Sequence, residues 1–130
     1  MTDLNISVIE GRLTSDVGEK DFGYISTGTA KLTIHIACNK STKKGEEWVD
    51  ETSFFDVTVW GKPAENLKSK IIKGSPVRVA GRLQQDRWQD QNGNNKSKIF
   101  IVADSVKVYS KEQKQNAQND SRFPEDFPFN

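Results

Sequence analysis

Residues 52–61 read T-S-F-F-D-V-T-V-W-G, and no other stretch limits the possible folds as much. Side chains alternate across an extended strand. Phe55, Val57 and Val59 therefore form one row, and Phe54, Asp56, Thr58 and Trp60 form the other. The first row reads as a core face. The second carries a ring at each end and polar groups between them. A core needs one apolar face, so rings on both faces need a second explanation. Either the strand is buried on both sides, as at a subunit interface, or its outer rings stack on flat ligands. A nucleic-acid base stacked on an exposed ring gains about 1–3 kcal/mol.

The rest of the chain suggests an all-β domain around this strand. Residues 29–38 alternate cleanly, with Ala30, Leu32, Ile34, Ile36 and Cys38 on one face and Lys31, Thr33 and His35 on the other. A first strand spans residues 4–13, and residues 25–27 suggest a short pairing piece after a polar loop over 14–24. After Gly61, Pro63 suits the first turn of a helix, and Ala64, Leu67, Lys68 and Ile71 fall at helical spacing. That short helix is expected to plug one end of a small barrel. Residues 76–83 form a fourth strand whose outer parity holds Arg78 and Arg82 and, if the ribbon continues, Trp88. Asn92-Gly93 signals a hairpin reversal, after which Lys96 and Lys98 return on the far side. A fifth strand spans 100–108, with a break at Asp104-Ser105 that suggests a bulge.

Five strands with one short helix between the third and fourth match the five-stranded OB-fold barrel. One domain over residues 1–109 follows. Residues 110–121 are polar and rich in Gln, Asn and Lys, so a disordered linker is expected there. At 122–130 phenylalanines return beside acids and prolines. Glu125, Asp126, Phe127, Pro128 and Phe129 read as a short motif for a basic pocket with apolar walls.

Several function classes lack chemistry. One cysteine and one histidine allow no intrachain disulfide and no thiolate metal cluster. Cys38 reads as a core residue. His35 has no visible partner for catalysis or metal binding. No acid–base pair and no Gly-rich nucleotide loop appears, so no enzyme activity, metal or cofactor is expected. Neither a membrane span nor a signal peptide is apparent, which makes the cytoplasm the default. Net charge is only +1, so nucleic-acid binding would rest on local placement. Phe54, Trp60 and Trp88 are the candidate stacking platforms. Lys31, Arg78, Arg82 and the lysines of a polar arm, Lys40, Lys43 and Lys44, are candidate phosphate contacts. In that arm Glu46, Glu47, Asp50 and Glu51 follow the lysines, so base and tip are expected to differ in sign. Trp48, also in the arm, is open to packing on the barrel edge or on a partner subunit. Stacking and phosphate attraction read little sequence. The alternatives are a single-stranded RNA binder, or an OB-fold interaction protein with its rings buried between subunits.

The sequence also resembles the bacterial single-stranded DNA-binding protein family. The matches are Gly11-Arg12-Leu13-Thr14, residues 51–66 (ETSFFDVTVWGKPAEN), Lys73-Gly74-Ser75-Pro76-Val77, Gly81-Arg82-Leu83, Arg87-Trp88-Gln89-Asp90 with Gly93, and Val102-Ala103-Asp104. The resemblance implies an OB-fold that assembles as a homotetramer, partly through its first strand. It implies binding and protection of single-stranded DNA near the nucleoid, with stacking at Phe54, Trp60 and Trp88. Some members carry a further stacking tryptophan just after the second strand, where this chain has Asn39-Lys40. The tail of the family recruits replication, recombination and repair proteins through an acidic run ending in Pro-Phe. Here Asn130 follows Phe129.

Overall fold

A computed structural model describes residues 1–109; the expected linker and tip lie outside the described residues. The elements run β1 (Ser7–Leu13), β2 (Phe22–Tyr24), β3 (Ala30–Lys44), β4 (Glu47–Trp60), α1 (Lys62–Leu67), β5 (Pro76–Gln89) and β6 (Asn95–Val108). Five of the strands close a ring. Strand β1 pairs with β5 over most of its length and with β3 at Arg12 and Leu13. Strands β5 and β6 pair antiparallel, as do β3 and β4, and a short parallel pairing of β4 with β6 completes the circuit. This is the expected five-stranded OB barrel, with β2 added on the edge of β3.

The alternation places the core as expected. Leu32, Ile34 and Ile36 of β3, Val57 and Val59 of β4, Val77 and Val79 of β5, and Ile101 of β6 are buried together. Ala64 and Leu67 of α1, with Ile71 just after it, close one end of the barrel. Pro63 sits in the first turn of α1, where its missing N–H costs nothing. Two glycines permit the closure. A Cβ at Gly11 would lie 2.3 Å from the Ala37 carbonyl oxygen, and one at Gly81 would lie 2.1 Å from that of Val102. The register of β5 and β6 shifts between Ala80 and Gly81, so that Asp104 is the extra residue. This is the bulge suggested by the broken pattern at Asp104-Ser105.

Several expectations are corrected. The polar arm over residues 39–51 is regular strand almost to its tip, with β3 and β4 paired out to Lys44 and Glu47. The short pairing piece is residues 22–24 rather than 25–27, and β1 begins at Ser7. Phe55 shares the core parity but is 38% exposed. Its strand has left the barrel by then, because the β4–β6 pairing stops at Val57. Cys38, further along the same outward course of β3, is half-buried rather than in the core. Among the described residues no helix is long and apolar enough to cross a membrane.

Candidate nucleic-acid interface

Two hairpins outrun the barrel, and the candidate site lies between their roots. Strands β4 and β6 pair only at Val57–Ile101 and Thr58–Val102. Beyond that point they separate. The space between them is a cleft of about 240 Å³ lined by Lys31, Thr33, Asp56, Thr58, Asp86, Trp88, Lys98 and Phe100. All four strands of the two hairpins contribute. The β-bulge supports this shape, since a bulge bends its ribbon and increases the local twist.

Register explains which side chains share the cleft face. Lys31 lies opposite Trp60, Thr33 opposite Thr58, His35 opposite Asp56 and Ala37 opposite Phe54. The two rings of β4 therefore flank a polar centre, as the alternation predicts. Phe54 is 73% exposed, Trp60 38% and Trp88 48%. Trp60 also borders a groove toward Asn66 and Asp104. The Lys31 ammonium sits 5.5 Å from the centre of its indole, within reach of a cation–π contact. Thr58 is buried despite its outer parity.

The predicted cations divide into groups. Arg82 is exposed, with Asp104 at 4.0 Å. Arg78 does not join the exposed row. It is buried, its Nε donates to Glu10 at 3.2 Å and its guanidinium lies over the Tyr109 ring. The cause is β1, which pairs with β5 and places Glu10 directly opposite Arg78. The expected sign difference between base and tip of the β3–β4 arm is also overturned. The ladder folds the acids back against the lysines, and Lys40 and Lys44 both pair with Glu51, at 3.5 and 3.3 Å. These two lysines have the parity of the barrel-interior face. Lys43 has the parity of the ring face, where its partner across the ladder is Trp48.

The polar centre is a connected network that sequence reasoning missed. His35 Nδ1 lies 2.6 Å from Asp56 Oδ1, and Nε2 lies 3.2 Å from Asp21 Oδ1. Lys98 Nζ donates to the other oxygen of Asp56 at 2.5 Å. Asp21 is itself fixed, because its second oxygen accepts the Gly18 N–H at 2.8 Å. Burial works against a charged His35, but the hydrogen bonds and charges of Asp56 and Asp21 outweigh it and hold the imidazole above its usual pKa. Burial likewise opposes the Asp56 carboxylate, and the bonds and charges of Lys98 and His35 overcome this and hold its pKa below the usual range. Parity put His35 and Asp56 each on the outward face of its own strand, and the ladder register sets them opposite each other. The contributions of Asp21 and Lys98 arise from a loop and from the other hairpin, which no local pattern reports. Phe100, at the start of the expected fifth strand, lines the same cleft and is not among the candidates named from the sequence.

The matching sequence spans residues 4–109 and is that of the single-strand binding protein family. The chain belongs to that family. It is 41% identical over 108 residues to a single-stranded DNA-binding protein of Treponema pallidum, covering 83% of this chain and 59% of the relative. It is 39% identical over 111 residues to one of Borreliella burgdorferi, covering 85% and 72%. Thus it spans less than two thirds of the first relative's length. The fold is similar to that of a Plasmodium falciparum SSB solved in complex with ssDNA, with a TM-score of 0.74 at 20% identity over 85% of this chain and 98% of the other. A deletion mutant of the Thermus aquaticus single-stranded DNA binding protein gives 0.73 at 23% identity, over 83% and 51%.

Proposed function

We propose that this chain binds and protects single-stranded DNA with little regard for sequence, and acts as a binding protein rather than an enzyme. The observation that carries the reading is the placement of exposed Phe54, Trp60 and Trp88 along the β4 face and the cleft beside it. Its family membership and the names of its relatives support the same reading. Bases stack on these rings, with Trp48 as a further ring of the same parity. Lys31, Lys43 and Arg82 follow the phosphates on or beside the ring face; Lys40 and Lys44 act from the reverse of the arm, and buried Arg78 is left out. The test is tryptophan fluorescence during titration with dT and rU oligomers of several lengths. Strong quenching by dT is expected, with length dependence reporting the site size. Equal quenching by rU would favour an RNA binder, and unchanged fluorescence with both would favour rings that serve a protein interface.

Two further roles belong to the same proposal. The chain assembles as a homotetramer, supported by apolar side chains left exposed on the monomer, including Ile6, Phe55, Leu83 and Ile99. Light scattering that reports a monomer at micromolar concentration would contradict this. Residues 122–130 recruit replication, recombination and repair proteins near the nucleoid, supported by the acids beside Phe127 and Phe129. Removing these nine residues is expected to spare DNA binding and abolish partner capture.

A further inference from the structure

The polar centre of the cleft face is costly to explain as a passive part of a DNA-binding surface. Asp56 lines the cleft that a polyanion is to enter, and the one histidine of the chain is held between it and Asp21. A neutral imidazole has one N–H and one bare nitrogen. With a carboxylate oxygen at each nitrogen, a neutral ring leaves one pair of acceptors facing each other. Only the imidazolium satisfies both aspartates. Lys98, meanwhile, spends its charge on Asp56 although its side chain is about half exposed at the cleft.

We propose that Lys98 is a further phosphate-binding residue held in reserve by Asp56, and that His35 takes up a proton as a DNA strand engages it. The inference rests on the single-stranded DNA reading above. A phosphate arriving in the cleft competes with Asp56 for the Lys98 ammonium. As Lys98 turns to the phosphate, Asp56 loses one of its two cationic partners and keeps the other, His35. Solvent supplies one proton to the neutral imidazole, and the imidazolium then bridges Asp21 and Asp56. Wherever His35 was neutral beforehand, the face becomes more positive by one charge as the polyanion lands. The charged groups around His35 are Asp21 from the segment before β2, Asp56 from β4 and Lys98 from β6; Lys31 on its own strand and Asp86 on β5 line the same cleft. Binding that takes up a proton weakens as pH rises, so affinity falls as pH passes the point where free His35 loses its proton.

The experiment is calorimetric titration of the full chain with an oligothymidylate, whose bases bind no proton near neutral pH, in two buffers of different ionisation enthalpy. Wild type is expected to take up a fraction of a proton between pH 7 and 8.5, and to lose affinity severalfold from pH 6 to 8.5. His35→Gln removes that uptake and flattens the pH profile. Asp56→Asn binds severalfold tighter at pH 8, because Lys98 is released. Lys98→Gln lowers the slope of log affinity against log salt by about 1. Thermal unfolding of each variant without DNA separates a damaged fold from a changed contact. Equal proton uptake by wild type and His35→Gln, or an unchanged salt slope in folded Lys98→Gln, overturns the proposal while DNA binding itself stands. Absence of both heat and quenching in wild type sinks the DNA reading and this inference with it.

Discussion

The two hairpins that leave the barrel are built on opposite plans. The β3–β4 arm is straight, paired without a register shift from Lys31–Trp60 to Lys44–Glu47. It carries its own countercharge, since Lys40 and Lys44 share Glu51 across its reverse face. The β5–β6 arm carries a register shift at Ala80/Gly81 and brings Trp88, Lys98 and Phe100 to the cleft. The straight arm thus supplies a platform, and the bent arm supplies the wall that turns a platform into a cleft. Their connection is electrostatic, through Lys98 and Asp56. A barrel with two straight arms would expose the same residue types without bringing them together.

The largest effects are expected where the bend is set. Gly81→Ala drives a methyl group into the Val102 carbonyl and the Ala103 backbone, neither of which can move aside. Such overpacking costs about 3 kcal/mol, measurable by urea unfolding. Gly45→Ala, at the turn of the straight arm, meets nothing within 4 Å and suffers only its positive φ of +65°, at about 1–2 kcal/mol. Equal losses would mean that the bulge is no tighter than an ordinary turn. Next come the rings. Trp60→Ala and Trp88→Ala should each weaken dT binding by about 1–3 kcal/mol, read by titration at fixed salt. Were Trp88 on the bent arm to prove silent while Trp60 counted, the cleft would be a platform alone.

Much of this comparison was legible in the sequence, but unevenly. The rows Leu32–Ile34–Ile36 and Val57–Val59 announced the core because one buried face imposes a period of two. The outward rings Phe54 and Trp60 followed from the same count. The arms were legible only in outline. Residues 39–51 read as a polar arm between two strands, but with little apolar alternation to count, its strand register could not be read. Continuing the count back from Phe54 would have reached Trp48 and set Lys43 apart from Lys40 and Lys44. Arg78 was misplaced for a different reason. Its parity was read correctly, but the neighbour opposite it, Glu10, belongs to a strand 68 positions away. Phe55 had core parity on a strand that had already left the core, and only the end of the β4–β6 pairing tells where that happens.

Smaller effects test the straight arm. Lys43 shares the ring face, and among the described residues no ion pair is formed by it. Lys40 is tied to Glu51 on the reverse. Lys43→Gln is therefore expected to reduce the salt slope of dT affinity by about 1, and Lys40→Gln by less. Reversed magnitudes would show that the strand runs over the reverse of the arm, which would detach it from the rings.

The smallest effect concerns the free protein, where the link between the arms contributes to stability with a defined pH window. The folded pKa of His35 is raised above 6.5. Its contribution is therefore fully present below pH 6.5 and is lost as pH rises through the folded value. Asp56 has the opposite sign. Its folded pKa is lowered below 3.8, so its contribution is present above that value and is lost as pH falls through the folded one. The two together favour the folded state most between these limits. Urea unfolding without DNA should show wild type losing stability from pH 6 to 8.5 relative to His35→Gln, and the difference should vanish at the alkaline end. A constant difference across that range would mean that His35 serves by packing rather than by charge, and that the electrostatic link between the two arms is Lys98–Asp56 without it.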